Sequence, residues 1–432
     1  METITVREYS AFCEGEKNGE YINGYYTLKR STFRSLETFV LENSKDRADS
    51  VLEIMGISAR RGVGKIITVK NYVGVIAMKD GTAIEILPKI CSSQKADSSR
   101  VKLLVMDMLR VLKDPSHKKK QITKVDVGRV SLLDVFIRTF LDETLSIVKQ
   151  GLRSGYGTVE DNLTSVKGKI CFSEQIRRNL IHKERMCVAY DVFHADRPEN
   201  KLLKSTLMYL SSKTHSLKNK KDIKELLRVF ADISPSVNHD ADFSKVVLDK
   251  NTVSYTMALR LAQVFLQGKS FTSFSGSSVS LAVLFPMERL FEAYMAAVLK
   301  RAFASVGASV SVQDARYHLF DSPEKFSLRP DLVITKKNGD VFIVDTKWKL
   351  LYDDPRANYG ISQSDMYQMY AYHKKYEDHG LRVKGVLLLY PATDVPIAPP
   401  PFTDQSGVAV AVHFVDMLAL EESVRNFLLI IG

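Results

Sequence analysis

Three charged residues converge in the stretch "RPDLVITKKNGDVFIVDTKWK": Asp331, Asp345 and Lys347. Two carboxylates and an ammonium are the side chains that metal-assisted phosphodiester hydrolysis uses. Carboxylate oxygens hold a hard divalent cation, which activates water, polarises the phosphate and steadies the leaving oxygen. A lysine in the same space orients or deprotonates the water, or offsets charge in the transition state. The plain alternative is the solvated rim of an ordinary hairpin.

Register separates the two readings. Asn338-Gly339 marks a turn between two apolar runs, and a period of two puts Asp345 and Lys347 on one face with Thr346 on the other. A two-residue loop sets Asp331 opposite Thr346. A three-residue loop, Lys337 to Gly339 with Gly339 left-handed, sets Asp331 opposite Asp345 at about 5 Å. The site therefore requires the longer loop or an equivalent bulge near Pro330.

Two helices supply further candidates. Gln368 and Tyr372 are four apart and share a face, and Ser362 with Asp365 forms a capping box just before them. The alternative is an exposed glutamine and a core tyrosine. Glu288 and Glu292 share a face of the preceding helix, Met287–Phe303, with Glu288 reading as a partner of solvent or a nearby base.

These residues need a sheet to place them. Helix, hairpin, helix (Asp365–Tyr376), the strand "KGVLLLYP" and a late strand "VAVAVHFVD" predict a mixed central sheet flanked by helices over residues 276–432. Residues 1–95 read as a β-rich module, with a helix at "STFRSLETFVLEN" and a hairpin at Asp80-Gly81. Residues 96–275 carry apolar spacings of three and four and read as a mostly helical middle region, with a short β excursion at "LTSVKGKICFSEQI". The joints are "CSSQKADSSR" and "KSFTSFSGSSVS". The fold class expected is multidomain α+β.

Composition agrees. A chain of 432 residues with 45% hydrophobic content builds two or three cores. No apolar run supports a signal peptide or membrane span, and Cys13, Cys91, Cys171 and Cys187 lack zinc-ligand spacing, so the expected location is a reducing cytoplasm. Of 61 basic and 50 acidic residues, only 16 and 18 lie from Gly276 onward, so the net charge of +11 comes from the first two-thirds. Runs such as "HKKK" and "KNKKDIK" read as solvated faces or as phosphate- or partner-facing surface. One decoy drops out. "ARRGVGKI" has Ala59 where a phosphate loop needs glycine and Ile66 where it needs a hydroxyl, and it flanks strand-like sequence.

The pattern RPD, thirteen residues, DTK resembles the PD-(D/E)xK nuclease signature, with Asp331 and Asp345 as the acids and Lys347 as the lysine. Gln368 and Tyr372 match the Q-x-x-x-Y element of its RecB-like branch, where these residues line the site near the DNA backbone. "LFEAY" is similar to the acid-bearing helix of many relatives, which implies Glu292 as a supporting metal ligand. In order, "LLDVFIRTFLDETLSIVKQGLRSGY", "VKGKI", "NKLLKSTLMYL", "IVDTKWK" and "SQSDMYQMYAY" resemble McrC, the nuclease subunit of McrBC modification-dependent restriction systems, over roughly residues 130–432. Departures are Thr346 where alanine is common and Trp348 where tyrosine is common; Trp348 reads as core packing.

That resemblance implies a C-terminal PD-(D/E)xK domain and a Mg2+-dependent endonuclease, with Mn2+ as a substitute, acting on double-stranded DNA carrying methylcytosine. It implies a McrB-type AAA+ GTPase ring as partner, GTP bound by that partner, and docking through the basic middle region. The alternatives are a self-sufficient RecB-like repair or recombination nuclease, and a regulatory module for an AAA+ ring.

Overall fold

The computed structural model describes residues 2–44, 54–90, 98–111, 131–247, 253–267, 279–393 and 395–431. Backbone contacts divide the chain into two compact units, Met1–Leu132 with Phe274–Gly432, and Leu133–Ser273. The division at 273 falls beside the joint expected near 275, whereas the chain is not divided near 95, and the N-terminal residues and the C-terminal third share one unit. The physical cause is a strand, Val279–Pro286, just ahead of the helix that begins at Met287. It pairs antiparallel with Tyr72–Met78, which pairs in turn with Thr82–Leu87, and Glu2–Arg7 lies parallel at the far edge. Gly74 makes this crossing feasible, since a Cβ there would lie 1.9 Å from the Val283 carbonyl oxygen.

A five-stranded sheet adjoins, in the order Tyr21–Ile22, Tyr25–Lys29, Ala11–Gly15, Gly64–Val69, Met55–Arg60. The helix Arg30–Ser44 packs Phe33, Leu36 and Phe39 into a core with Phe12, Leu28, Ile67, Ile76, Ile84 and Leu284. Each such fully buried side chain contributes about 1.5–3 kcal/mol. "ARRGVGKI" spans the tight turn between the last two strands, with Arg60 paired to Gly64, and opens no helix.

The expected mixed sheet is present with six strands, in the order Ser309–Val312, Leu332–Thr335, Asp340–Thr346, Arg382–Pro391, Ala409–Val415, Phe402–Thr403. Its hairpin is antiparallel, and the strands Asp340–Thr346, Arg382–Pro391 and Ala409–Val415 run parallel. "VFIVD" is largely buried, as a covered central strand requires. The helix Gln363–Asp378 lays Met369, Tyr372 and Tyr376 against Val386, Leu388 and Tyr390. The helices Met287–Ser305 and Leu420–Ile431 meet through Phe303 and Phe427, with ring centres 6.1 Å apart.

The second unit is mostly helical, with helices Pro198–Ser211, Leu217–Val229 and Thr256–Gln267 among them. Its β excursion is larger than expected: Gly155–Leu163, Met186–His194 and Lys169–Ile170 form an antiparallel sheet. The first of these strands is exposed along most of its length, so its sequence lacks the apolar alternation that announces a strand. The "KNKKDIK" lysines stand exposed on the helix Leu217–Val229, a solvated face, while "HKKK" lies outside the described residues. Most of both expected joints also falls outside them.

Cys13, Cys171 and Cys187 are free thiols. Among the described residues no helix is long and apolar enough to cross a membrane.

Candidate functional site

The hairpin turn decides the site. Gly339 adopts φ +84°, its N–H donates to the Lys336 carbonyl at 3.0 Å, and the Lys336 N–H donates to the Asp340 carbonyl at 2.9 Å. Lys337 to Gly339 thus form the three-residue loop, and the ladder pairs Leu332 with Val344. One step further, this register sets Asp331 opposite Asp345.

Each carboxylate is held differently. Asp331 Oδ2 accepts from the Thr346 N–H at 2.7 Å and from the Thr346 hydroxyl at 2.6 Å. Asp345 is almost fully buried, and its Oδ2 lies 2.7 Å from Lys347 Nζ, an approach without the alignment of a hydrogen bond. Lys347 also donates to Gln368 Oε1 at 3.1 Å and stands 3.8 Å from Asp365. Gln368 Nε2 donates to the Tyr372 hydroxyl at 2.6 Å. Asp345, Lys347, Gln368 and Tyr372 therefore form one connected chain, launched by a helix whose N-cap, Ser362, accepts from the Asp365 N–H at 3.1 Å. Tyr372 is both a core residue and a member of this chain.

Burial sets the protonation of the acids. It pushes Asp345 up to about 6, with Asp331 adding repulsion and Lys347 opposing both. Asp331 is likewise raised by burial, against its bonds from Thr346. Glu292 rises to about 7 through burial, then repulsion from Asp331 and Asp345, while a hydrogen bond from Gln313 pulls it down. Burial opposes the charge on Lys347, but Asp345, Asp365 and Asp331 together outweigh it and hold its pKa above normal. The three carboxylates thus feel one another, the cost expected of acids gathered into a small space.

Gln313 was not legible in the sequence. Its backbone φ is +51°, its N–H donates to the Asp331 carbonyl at 2.9 Å, and its side chain reaches Glu292. Non-glycine residues take this conformation rarely and at a cost, often beside functional sites. Thr346, expected on the opposite face, proves to be the anchor of Asp331. Trp348 is buried against Phe291, as its core reading required. Glu288 lies apart, accepting from Asn71 at 2.9 Å.

Asp331 and Asp345 are hard oxygen donors, and Mg2+ commonly takes one or two carboxylates and keeps several waters. The buried Asp345 Oδ2, lacking a well-aligned donor, fits that use. Glu292 stands near both acids but its carboxylate is bonded to Gln313, and among the described residues no group of three histidine, cysteine or acid side chains is arranged to hold a metal as the side chains stand.

Fold and site describe a multidomain mixed α/β protein with an acid–lysine cluster set at the end of a sheet hairpin. The chain belongs to the McrBC 5-methylcytosine restriction system component family, which matches residues 67–391. Its fold is similar to that in the refined half-complex from a tetradecameric assembly of Thermococcus gammatolerans McrB AAA+ hexamers with bound McrC, at 20% identity over 100% of both chains and a TM-score of 0.65. The structure of the Thermococcus gammatolerans McrBC complex is more distant, at 22% identity over 69% of this chain and 88% of the other, with a TM-score of 0.48. No curated protein matches.

Proposed function

We propose that this chain is the DNA-cutting subunit of a McrBC-type complex, a PD-(D/E)xK endonuclease that hydrolyses phosphodiesters of methylcytosine-containing double-stranded DNA. The observation that carries this reading is the three-residue turn at Gly339, which puts Asp331 opposite Asp345 while Lys347 approaches Asp345 from the same strand. Asp331 and Asp345 would hold Mg2+, with Mn2+ as a substitute, and the metal when bound would supply water activation and Lewis-acid polarisation. Lys347 would keep a positive charge beside the scissile phosphate, a role favoured by a pKa already above normal. Gln368, braced by Tyr372, would orient that ammonium and face the backbone of the substrate. Glu292, uncharged in part near neutral pH, would support the metal when deprotonated.

The partner in this reading is a McrB-type AAA+ GTPase ring, which binds the GTP and whose hydrolysis this chain stimulates, in a cytoplasmic complex. Family membership and the shared fold of the McrB–McrC assembly support that division of labour. The test combines Asp345→Ala protein with the GTPase, methylated DNA, GTP and magnesium. Cleavage is expected to vanish while GTPase stimulation survives. Continued cutting would remove Asp345 from the site, and equal cutting by the wild-type chain alone would favour a self-sufficient RecB-like nuclease.

A further inference from the structure

Lys347 is half-buried but lies outside regular structure: it is the first residue beyond the strand Asp340–Thr346, and no regular element follows until Pro355. Its backbone keeps one sheet bond, from its N–H to the Leu389 carbonyl at 2.9 Å. What holds the next residue is therefore decisive for where the ammonium points.

Trp348 is held from the N-terminal strands. Its indole N–H lies 3.1 Å from each carboxylate oxygen of Glu8, and Glu8 also accepts from the Lys89 backbone N–H at 2.9 Å. Lys89 Nζ returns to the Trp348 carbonyl at 3.2 Å while resting 4.6 Å from the centre of the Tyr9 ring. The indole packs on Phe291, with ring centres 5.2 Å apart, one residue before Glu292. Lys347 is thus bracketed: Thr346 is tied to Asp331 on one side and Trp348 to Glu8 and Lys89 on the other.

Given the nuclease reading above, we infer that Glu8 and Lys89 are positioning residues for Lys347, acting through Trp348. A purely adhesive contact between these segments would be made more cheaply by apolar side chains, because a buried carboxylate must be compensated. The polar arrangement adds direction. Two acceptors fix the plane of the indole, and the Lys89 bond fixes the carbonyl beside it. Small misplacements of a reacting group are known to cost large factors in rate, so the tie reaches the chemistry without touching it.

The test uses the complete complex with GTP, magnesium and methylated DNA. Trp348→Phe, which keeps the ring packing and deletes the N–H, and Lys89→Met, which keeps the stem, are each expected to lower kcat for cleavage about tenfold. KM for DNA and GTPase stimulation should stay near wild type, and Glu8→Gln, which retains an acceptor, should restore most of the rate lost in Glu8→Ala. Trp348 is the sole tryptophan of this chain, so the emission of the chain before the partner is added reports the tie directly and should shift in Glu8→Ala. Folded Trp348→Phe and Lys89→Met chains that cut at wild-type rates would overturn the inference, as would losses of cutting matched by equal losses of GTPase stimulation. If the wild-type complex cuts nothing, the nuclease reading falls; unchanged emission in folded Glu8→Ala would separately remove the tie.

Discussion

The hairpin at Asp331–Thr346 and the sheet Gly155–Leu163/Met186–His194 break the same packing rule in opposite directions. The hairpin buries charge, with Asp345 2% exposed at the end of an apolar strand. The other sheet exposes aromatics, with Tyr156 at 78% and Phe193 at 62%, their rings 5.2 Å apart. A buried carboxylate carries an electrostatic cost that rises with every neighbouring acid, whereas an exposed aromatic pair forgoes only the gain of covering it. Substitutions should therefore act strongly and on chemistry at the hairpin, and weakly on stability at the exposed sheet.

The largest effect is expected at the acid–lysine pair. Lys347→Met should reduce cleavage by about 10²–10³-fold, the scale of removing one group that stabilises developing charge, with GTPase stimulation as the control. Retained cutting would place the hairpin charges among ordinary rim residues. Next comes Gly339→Val. Nothing stands within 4 Å of a Cβ at this position, so the cost starts from the left-handed conformation, about 1–2 kcal/mol in denaturant melts, with cleavage falling as the register loosens.

The pH dependence of stability gives a third test, centred on Glu8. Burial lifts its pKa to about 7 from 4.5, despite Lys89 and the hydrogen bonds from Lys89 and Trp348. A folded pKa above the unfolded one means the folded state binds the extra proton. Its stabilising contribution is present below the unfolded value and is lost as pH rises through the folded one. The melting temperature should accordingly fall between about pH 5 and about pH 8, and Glu8→Gln should flatten that slope. The smallest effect is expected at the exposed sheet, where Phe193→Ser should change stability by about 0.5 kcal/mol or less. A larger loss there would show that the aromatic pair supports the sheet, and the contrast between the two regions would narrow.

Much of this was legible along the chain. The periodicities around Asp345, Gln368 and Glu292 are local, and local spacing alone puts Asp345 beside Lys347 and Gln368 beside Tyr372. The turn was legible only in part: Gly339 takes a positive φ in either loop, so the three-residue loop was required by the site, and the Lys336–Asp340 bond and the Leu332–Val344 pairing are what decide it. The strand Val279–Pro286 was not, since a short buried apolar run reads equally as the lead-in to the helix that follows. The exposed strand Gly155–Leu163 escaped for the converse reason, having little apolar signal to read.

Within the site, residue types, their spacing and the likeness to the nuclease signature pointed to Asp331, Asp345, Lys347, Gln368 and Tyr372, and a hairpin register and a helical turn bring these residues near one another. Contacts between residues far apart in the chain were a matter for the folded structure. Thr346 reaches Asp331 across the hairpin, Gln313 reaches Glu292 from a neighbouring strand end, and Glu8 and Lys89 reach Trp348 across more than half the chain. No periodicity encodes such meetings. They follow from which sheets the core draws together, and from a buried polar group's need to find a partner once it is there.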